Sequence, residues 1–349
     1  MTERVKRLLD SMRLGEHEGV VVYDPSNMFY LSGYTGEGLV LVARGISAII
    51  TDFRYTEQAQ AQAPGFEVLM TEKGKSHEDI AGALCASGGI DTLYYEDDFV
   101  TVHTFNALRE SVRGVEWKVV GSEIARLREI KDEDELALIR QACRITGEAF
   151  ERILPHIKEG VTEKELALRL DFDMMSHGAS KPSFSTIVAA GAVPGEYRLR
   201  RGDMITMDFG ARYGNYCADM TRTVALGQPS DEMKKVYGIV LDAQKMAQDA
   251  VAAGKLCRDI DAIARNYIYS HGYEGRFGHG LGHSVGIDIH EDPRFNQVST
   301  AVLKAGQVMT VEPGIYLPGV GGVRIENSVV VREGGCEVLT FPDRELIIL

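Results

Sequence analysis

The feature that most constrains this chain is a duplication hidden in its second half. Asp208 stands six residues after Gly202 in Gly202-Asp-Met-Ile-Thr-Met-Asp208-Phe-Gly210, and Glu312 stands six residues after Gly306 in Gly306-Gln-Val-Met-Thr-Val-Glu312-Pro-Gly314. Each copy is an apolar, strand-like run closed by a carboxylate and a glycine. A second acid follows each, Asp219 eleven residues on and Glu326 fourteen residues on. Matching places in two halves thus deliver four carboxylates. Unpartnered carboxylates are costly to bury, and a pair of divalent cations is the usual reason to collect them. The alternative is buried salt bridges, for which the nearby strands offer only Arg222 and Arg324.

The elements around these acids repeat as well. A helix is expected from Asp132, with Glu135 as its capping-box partner and Leu136, Ile139, Cys143, Thr146, Phe150 and Ile153 forming one core-facing stripe. A second helix begins after Thr162, boxed by Glu165, with Val161 and Leu166 at the staple positions; Pro155 and Gly160 separate the two. Strands are expected at 185–190, 204–209 and 216–226. The series then restarts with helix 231–252, carrying Val236, Ile239, Val240, Ala243 and Met246, and helix 259–271, stopped by Gly272, before strands near 308–312 and 323–331. Two helices followed by strands, twice, is an α+β layout with internal pseudo-two-fold symmetry.

The first 120 residues read differently. Strands at 19–23, 39–43, 47–51 and 92–95 and helices at 54–63 and 76–86 describe a small α/β domain, joined through a charged connector at 121–131. The expected division is a first domain at 1–123 and a second at 124–349. Gly33-x-x-Gly36-x-Gly38 lies outside any strand-to-helix turn and reads as a loop, not a nucleotide site.

A net charge of −13 gives no basic surface for nucleic acid or anionic membrane. The charged start lacks the apolar stretch of a signal peptide and no run reaches membrane-spanning length, so a cytoplasmic protein is expected. The five cysteines are scattered and form no Cys-x-x-Cys pair, so they read as reduced packing residues.

Histidines add the next piece, in Phe277-Gly-His279-Gly-Leu-Gly-His283-Ser-Val-Gly-Ile-Asp-Ile-His290-Glu. His279 and His283 are four apart, but the glycines between them argue against a helical zinc motif and for a loop or strand end close to a ligand. With Asp208, Asp219, Glu312 and Glu326 contributing −4 and a neutral His283 nothing, two divalent ions balance the charge. Oxygen-rich ligation with one imidazole suits manganese, cobalt or zinc. Two such ions about 3.5–4 Å apart hold and deprotonate one water.

In their contexts Met-Asp-Phe-Gly, Ala-Asp-Met-Thr-Arg-Thr, Gly-His-Gly-Leu-Gly-His, Val-Glu-Pro-Gly-Ile-Tyr and Val-Arg-Ile-Glu-Asn, the five residues Asp208, Asp219, His283, Glu312 and Glu326 resemble the ligands of the pita-bread metallopeptidases. The likeness runs from about Ile124 to the end. Asn27-Met-Phe-Tyr-Leu-Ser-Gly33 and Thr51-Asp-Phe-Arg-Tyr55 extend it more loosely to the N-terminal module of the Xaa-Pro peptidases, prolidase and aminopeptidase P. The resemblance implies a creatinase-like first domain, a pita-bread catalytic domain and a homodimer. It further implies two divalent ions, manganese or cobalt favoured over zinc, and hydrolysis of the Xaa-Pro bond in proline-containing peptides.

By position, the resemblance gives Asp208 to one ion, His283 and Glu312 to the other, and Asp219 and Glu326 to both. Glu312 also shuttles a proton, and His290 stabilises the oxyanion with His279 and Arg324 in support; a role that only orients ligands is the alternative for these last three. Arg294, four residues after His290, matches a carboxylate-binding arginine of prolidases, the alternative being a surface pair with Glu291 or Asp292. One departure stands out. The family's Pro-His step before the Asp208 strand is replaced by Ala190-Gly-Ala-Val-Pro194-Gly-Glu-Tyr, with no histidine between His177 and His271; either the short loop is genuine and that imidazole is lacking, or a longer connection is absent from this sequence near Ala192-Val193, the second being slightly favoured. Prolidase is favoured over aminopeptidase P. Methionine aminopeptidase lacks the first domain, creatinase lacks these ligands, and a non-catalytic pita-bread binding protein is expected to have degraded ligands and a basic surface.

Overall fold

The computed structural model describes residues 1–191 and 195–349; the shortened loop read at Ala192-Val193 falls outside the described residues. The chain forms two compact units, Met1–Arg128 and Glu129–Leu349.

In the first unit, helices α1 Glu3–Ser11, α2 Pro25–Ser32, α3 Thr56–Gln62, α4 His77–Ser87 and α5 Val102–Ser111 are interspersed with strands β1 Glu18–Val22, β2 Leu39–Ala43, β3 Ile46–Thr51, β4 Glu67–Met70, β5 Thr92–Tyr95 and β6 Glu116–Val119. The strands form one sheet in the order β4-β3-β2-β1-β5-β6. Its central strand β2 is buried along its whole length, as expected of an uninterrupted Leu-Val-Leu-Val-Ala run. The segment Asn27–Gly33 lies within α2, capped by Asp24 and stopped by Gly33 at φ 83°. The run read as a charged connector instead folds into helix α6, Glu123–Glu129, where Arg126 and Glu123 pair one turn apart at 2.7 Å.

The second unit begins with the two expected helices. In α7, Glu133–Ile153, the Asp132 carboxylate accepts from Glu135 N and the Glu135 carboxylate from Asp132 N, both at 2.9 Å. Thr162 and Glu165 do the same for α8, Glu163–Ser176. The whole stripe from Leu136 to Ile153 is buried. After β7 Lys181–Pro182 and β8 Ile187–Ala189, the strand β9 Met204–Phe209 carries the first acid. It is followed by β10 Ala211–Tyr213, β11 Tyr216–Cys217 and β12 Met220–Ala225. The single strand expected at 216–226 is therefore broken at Ala218-Asp219.

The second half repeats the plan. Helices α9 Asp231–Asp249 and α10 Cys257–Ser270 precede β13 Gly282–Ser284, β14 Glu291–Phe295, β15 Val308–Val311, β16 Gly314–Leu317, β17 Gly321–Arg324, β18 Asn327–Arg332 and β19 Gly335–Val338. Met246 of α9 faces solvent, 46% exposed, and Ala247 takes the core position in its place. The strand expected at 323–331 is broken at Ile325-Glu326, matching the break at Asp219. In each half the strand of the first acid pairs antiparallel with the strand that starts just after the second: β9 with β12 and β15 with β18. One core joins α7 and α8 residues to Ile205, Met207, Phe209 and Val224. The other joins α9 and α10 residues to Met309, Val311, Val329 and Val331. Burying each such side chain contributes about 1.5–3 kcal/mol, and this packing holds the acid-bearing strands in register.

Candidate metal centre and active site

Side-chain alternation decides where the acids point. Ile205, Met207 and Phe209 face α7 and α8, so Asp208 emerges on the opposite face of β9. Met309 and Val311 face α9 and α10, and Glu312, one residue past β15, continues the other face. Asp219 and Glu326 sit at the strand breaks, where the chain turns each carboxylate inward. Two glycines allow the close packing this requires: a Cβ on Gly210 would lie 1.8 Å from the Ala218 carbonyl oxygen, and one on Gly282 would lie 2.1 Å from that of Thr310.

The result is one cluster. A carboxylate oxygen from each of Asp208, Asp219 and Glu326 lies within 4.8 Å of the others. His283 Nε2 is 3.5 Å from Asp219 Oδ2 and 3.4 Å from Glu312 Oε1. Hydroxyls complete the frame. Thr221 Oγ1 donates to Glu326 Oε2 at 2.7 Å, and Thr310 Oγ1 donates to Glu312 Oε1 at 3.2 Å while accepting from His283 N at 3.0 Å.

Of Arg222 and Arg324, only Arg324 meets a carboxylate of the cluster. Its Nη2 donates to Asp208 and its Nε to Thr221 Oγ1, while Nη1 contacts the Tyr316 hydroxyl at 3.0 Å; that hydroxyl is 2.9 Å from His279 Nε2. Arg222 instead donates to the carbonyls of Thr221, Glu326, Pro342 and Asp343 and to Asn327 Oδ1. One guanidinium cannot satisfy four carboxylates. Asp208 Oδ1, Asp219 Oδ1 and Glu326 Oε1 are buried with no hydrogen-bond partner, and each such atom costs about 1–3 kcal/mol if nothing meets it.

The titration of these groups follows from the same crowding. Burial, then the neighbouring Glu326, Asp208 and Glu312, pushes Asp219 well above the usual carboxylate range. Burial, then Glu312 and Asp208, does the same to Glu326. Glu312 rises to about 7 through burial and Asp208, against the pull of Arg324. Burial also raises Asp208, opposed by Arg324. Burial lowers His283 to about 4, so its imidazole is neutral near pH 7. Its Nδ1 lies 3.1 Å from the Ser284 carbonyl oxygen, which assigns the proton to Nδ1 and leaves the Nε2 lone pair facing Asp219 and Glu312.

Partnerless carboxylate oxygens beside a neutral imidazole nitrogen are the donor set of a divalent cation site, and the residues fit that group. A cavity of about 490 Å³ opens over the cluster. Its polar side carries Asp208, Asp219, Glu312, His279, His283 and Arg324; Phe184, Ile187, Ile289 and Phe295 supply apolar lining suited to a compact ring. His290 lies edge-to-face on His283, ring centroids 4.4 Å apart. Arg294 pairs in register with His283 and lines the same cavity; its side chain is 53% exposed and 3.8 Å from Asp292. Glu291 instead ion-pairs with buried Lys131 at 2.9 Å. The structure thus lines one cavity with eight of the nine expected site residues and joins the ninth, Glu326, to them through the carboxylate cluster with Asp208 and Asp219. It adds Thr221, Thr310 and Tyr316, whose only sequence signal was polarity at strand positions facing the acids.

Comparison with known proteins shows the family. Residues 137–333 match the model of metallopeptidase family M24, and residues 4–130 match the Creatinase/Prolidase N-terminal domain. The chain is 35% identical to an Xaa-Pro dipeptidase of Pyrococcus horikoshii over 99% of both chains. Among solved structures, it is similar to an Xaa-Pro dipeptidase from Bacillus anthracis, with a TM-score of 0.95 and 39% identity over 99% of each chain. It is also similar to an X-Pro aminopeptidase from Thermotoga maritima, with a TM-score of 0.92 and 36% identity over 97% of this chain and 100% of that one. The chain belongs to metallopeptidase family M24, its pita-bread peptidase domain preceded by a Creatinase/Prolidase N-terminal domain.

Proposed function

We propose that this protein is a dinuclear Xaa-Pro dipeptidase, with Asp208 on one divalent ion, His283 and Glu312 on the other, and Asp219 and Glu326 shared by both. The observation that carries this reading is the set of three buried carboxylate oxygens without a partner, on residues that form one cluster with a neutral imidazole. When bound, the ions supply Lewis-acid polarisation and lower the pKa of water to near neutrality.

The chain's own groups do the rest. The apolar wall receives the proline ring, and Arg294 binds the free carboxylate just beyond it through charge-assisted hydrogen bonds. Glu312 takes a proton from the attacking water as the water oxygen adds to the scissile carbonyl carbon. It then delivers that proton to the proline nitrogen as the C–N bond breaks, releasing the N-terminal residue and proline. His290 donates to the developing oxyanion, and the Arg324–Tyr316–His279 chain of hydrogen bonds holds Asp208 and the imidazoles in place.

The oxygen-rich donor set supports manganese or cobalt over zinc. We propose residues 1–123 and 124–349 as the functional domains of a cytoplasmic homodimer; among the described residues no helix is long and apolar enough to cross a membrane. The test is hydrolysis of Xaa-Pro dipeptides and Xaa-Pro-Yaa tripeptides after chelation and reloading with manganese, cobalt or zinc. Dipeptide turnover restored by metal is the expected result. Preference for tripeptides would favour an X-Pro aminopeptidase, the activity named for the Thermotoga maritima relative.

A further inference from the structure

Lys131 is buried one residue before the cap of α7, and all three donors of its ammonium are used. Its Nζ donates to Glu291 Oε2 at 2.9 Å, to Ser284 Oγ at 3.3 Å and to the Glu129 carbonyl at 3.3 Å. The side chains of Lys131 and Glu291 are 1% and 8% exposed. An ion pair so far from water gains little stability over apolar packing of the same volume, so its placement calls for another reason. The two distant partners supply it: Ser284 follows His283, and Glu291 follows His290. One ammonium thus grips the chain beside each imidazole, at the two ends of the 284–291 turn. Inside that turn Asp288 N donates to Glu291 Oε1 at 3.2 Å, and Gly286 N to the Asp288 carbonyl at 3.0 Å.

The two imidazoles differ in what else holds them. His283 belongs to β13, its N donates to Thr310 Oγ1 at 3.0 Å, and Ser284 pairs with Met309 of β15. His290 lies just before β14, its ring edge-to-face on His283. The ladder does not dictate where His290 stands, because the register shifts between His283 opposite Arg294 and Ser284 opposite Glu291. We infer that Lys131 is a positioning residue for the reaction: through Glu291 and Ser284 its ammonium sets the place of His290 relative to His283, where the imidazole donates to the oxyanion. The inference rests on the oxyanion role proposed for His290. Releasing the grip lets His290 move while every metal ligand stays, and a displacement of about 1 Å at such a group costs about 10- to 100-fold in turnover.

The test uses the full, manganese-loaded chain and Met-Pro. Lys131→Met/Glu291→Gln removes both charges at nearly constant length, so no buried charge is stranded, and is expected to melt within about 4 °C of wild type. Its kcat is expected to fall about 10- to 100-fold, with KM and manganese affinity each within about threefold. In a His290→Ala background the same double substitution should cost less than about twofold more, because the imidazole it positions is gone. Ser284→Ala deletes one acceptor of the ammonium by a one-atom truncation that keeps the fold, and decides the question if the double variant melts early. It should lower kcat about threefold with His290 present and leave it unchanged without. A purely structural role would lower kcat by the same factor in both backgrounds. That result, or wild-type kcat in the double variant, would overturn the inference. Undiminished kcat in His290→Ala itself would instead strike the oxyanion role on which it rests.

Discussion

Replacing Asp219 with asparagine should stabilise the metal-free protein while destroying its function. Asp219 is 5% exposed, its Oδ1 has no partner, and Glu326, Asp208 and Glu312 all raise its pKa. Asparagine keeps the shape and removes the charge, and its amide can donate toward His283 Nε2, which lies 3.5 Å from Oδ2 in the wild type. Relieving a buried, unsatisfied carboxylate contributes about 1–3 kcal/mol. For a unit spanning Glu129–Leu349, that is about 2–4 °C of melting temperature per kcal/mol. Metal acts in the opposite direction. Wild type with manganese at a hundredfold excess over Kd gains about 2.7 kcal/mol, and Asp219→Asn, lacking the ligand proposed to serve both ions, should gain far less. Differential scanning calorimetry of both proteins, with chelator and with manganese, reads all four states. A metal-free variant that melts below metal-free wild type would refute the argument that the carboxylates repel one another for want of cations.

Three further outcomes are expected. Arg294→Ala should lower kcat/KM for Met-Pro by about 1.5–3 kcal/mol, or about 10- to 150-fold, and affect Met-Pro-Leu much less; equal losses would remove Arg294 from carboxylate binding. Metal loading should release protons because Glu312 titrates near 7 without ions. Calorimetric titration in two buffers of different ionisation enthalpy should differ accordingly, and identical heats would contradict it. Far from the site, Arg140 and Arg332 hold the Glu337 carboxyl down at about 2, below the usual 4.5. The stability it contributes is thus full above about pH 4.5 and is lost as pH falls toward 2. Its side chain is 37% exposed, so Glu337→Gln should cost only about 0.5–1 kcal/mol at pH 7 and less at pH 3. A pH-independent difference in urea unfolding would count against that ion pair.

What the sequence revealed was local or periodic. The capping boxes of Asp132 and Thr162 are contacts three residues apart, and Asp208 and Glu312 announce themselves because a charge at the end of an apolar strand has few cheap explanations. The breaks at Asp219 and Glu326 were not legible, since they depend on partners in the other half: Glu326 N donates to the Thr221 carbonyl, and Ser328 Oγ to the Asp219 carbonyl. Tyr316, Thr221 and Thr310 were missed for a related reason. A polar side chain in a strand reads as a solvent face until the facing carboxylate is known. Lys131 and Glu291, 160 residues apart, form a buried pair that no local pattern could suggest. The charged run at 121–131 reads as a connector because its charge density obscures the one-turn Glu123–Arg126 spacing of the helix it contains.

The most direct measurement is an anomalous difference map from crystals of the manganese-loaded protein. It should show two peaks about 3.5–4 Å apart, both enclosed by Asp208, Asp219, His283, Glu312 and Glu326. A single peak, no peak, or density elsewhere on the chain would contradict the dinuclear account.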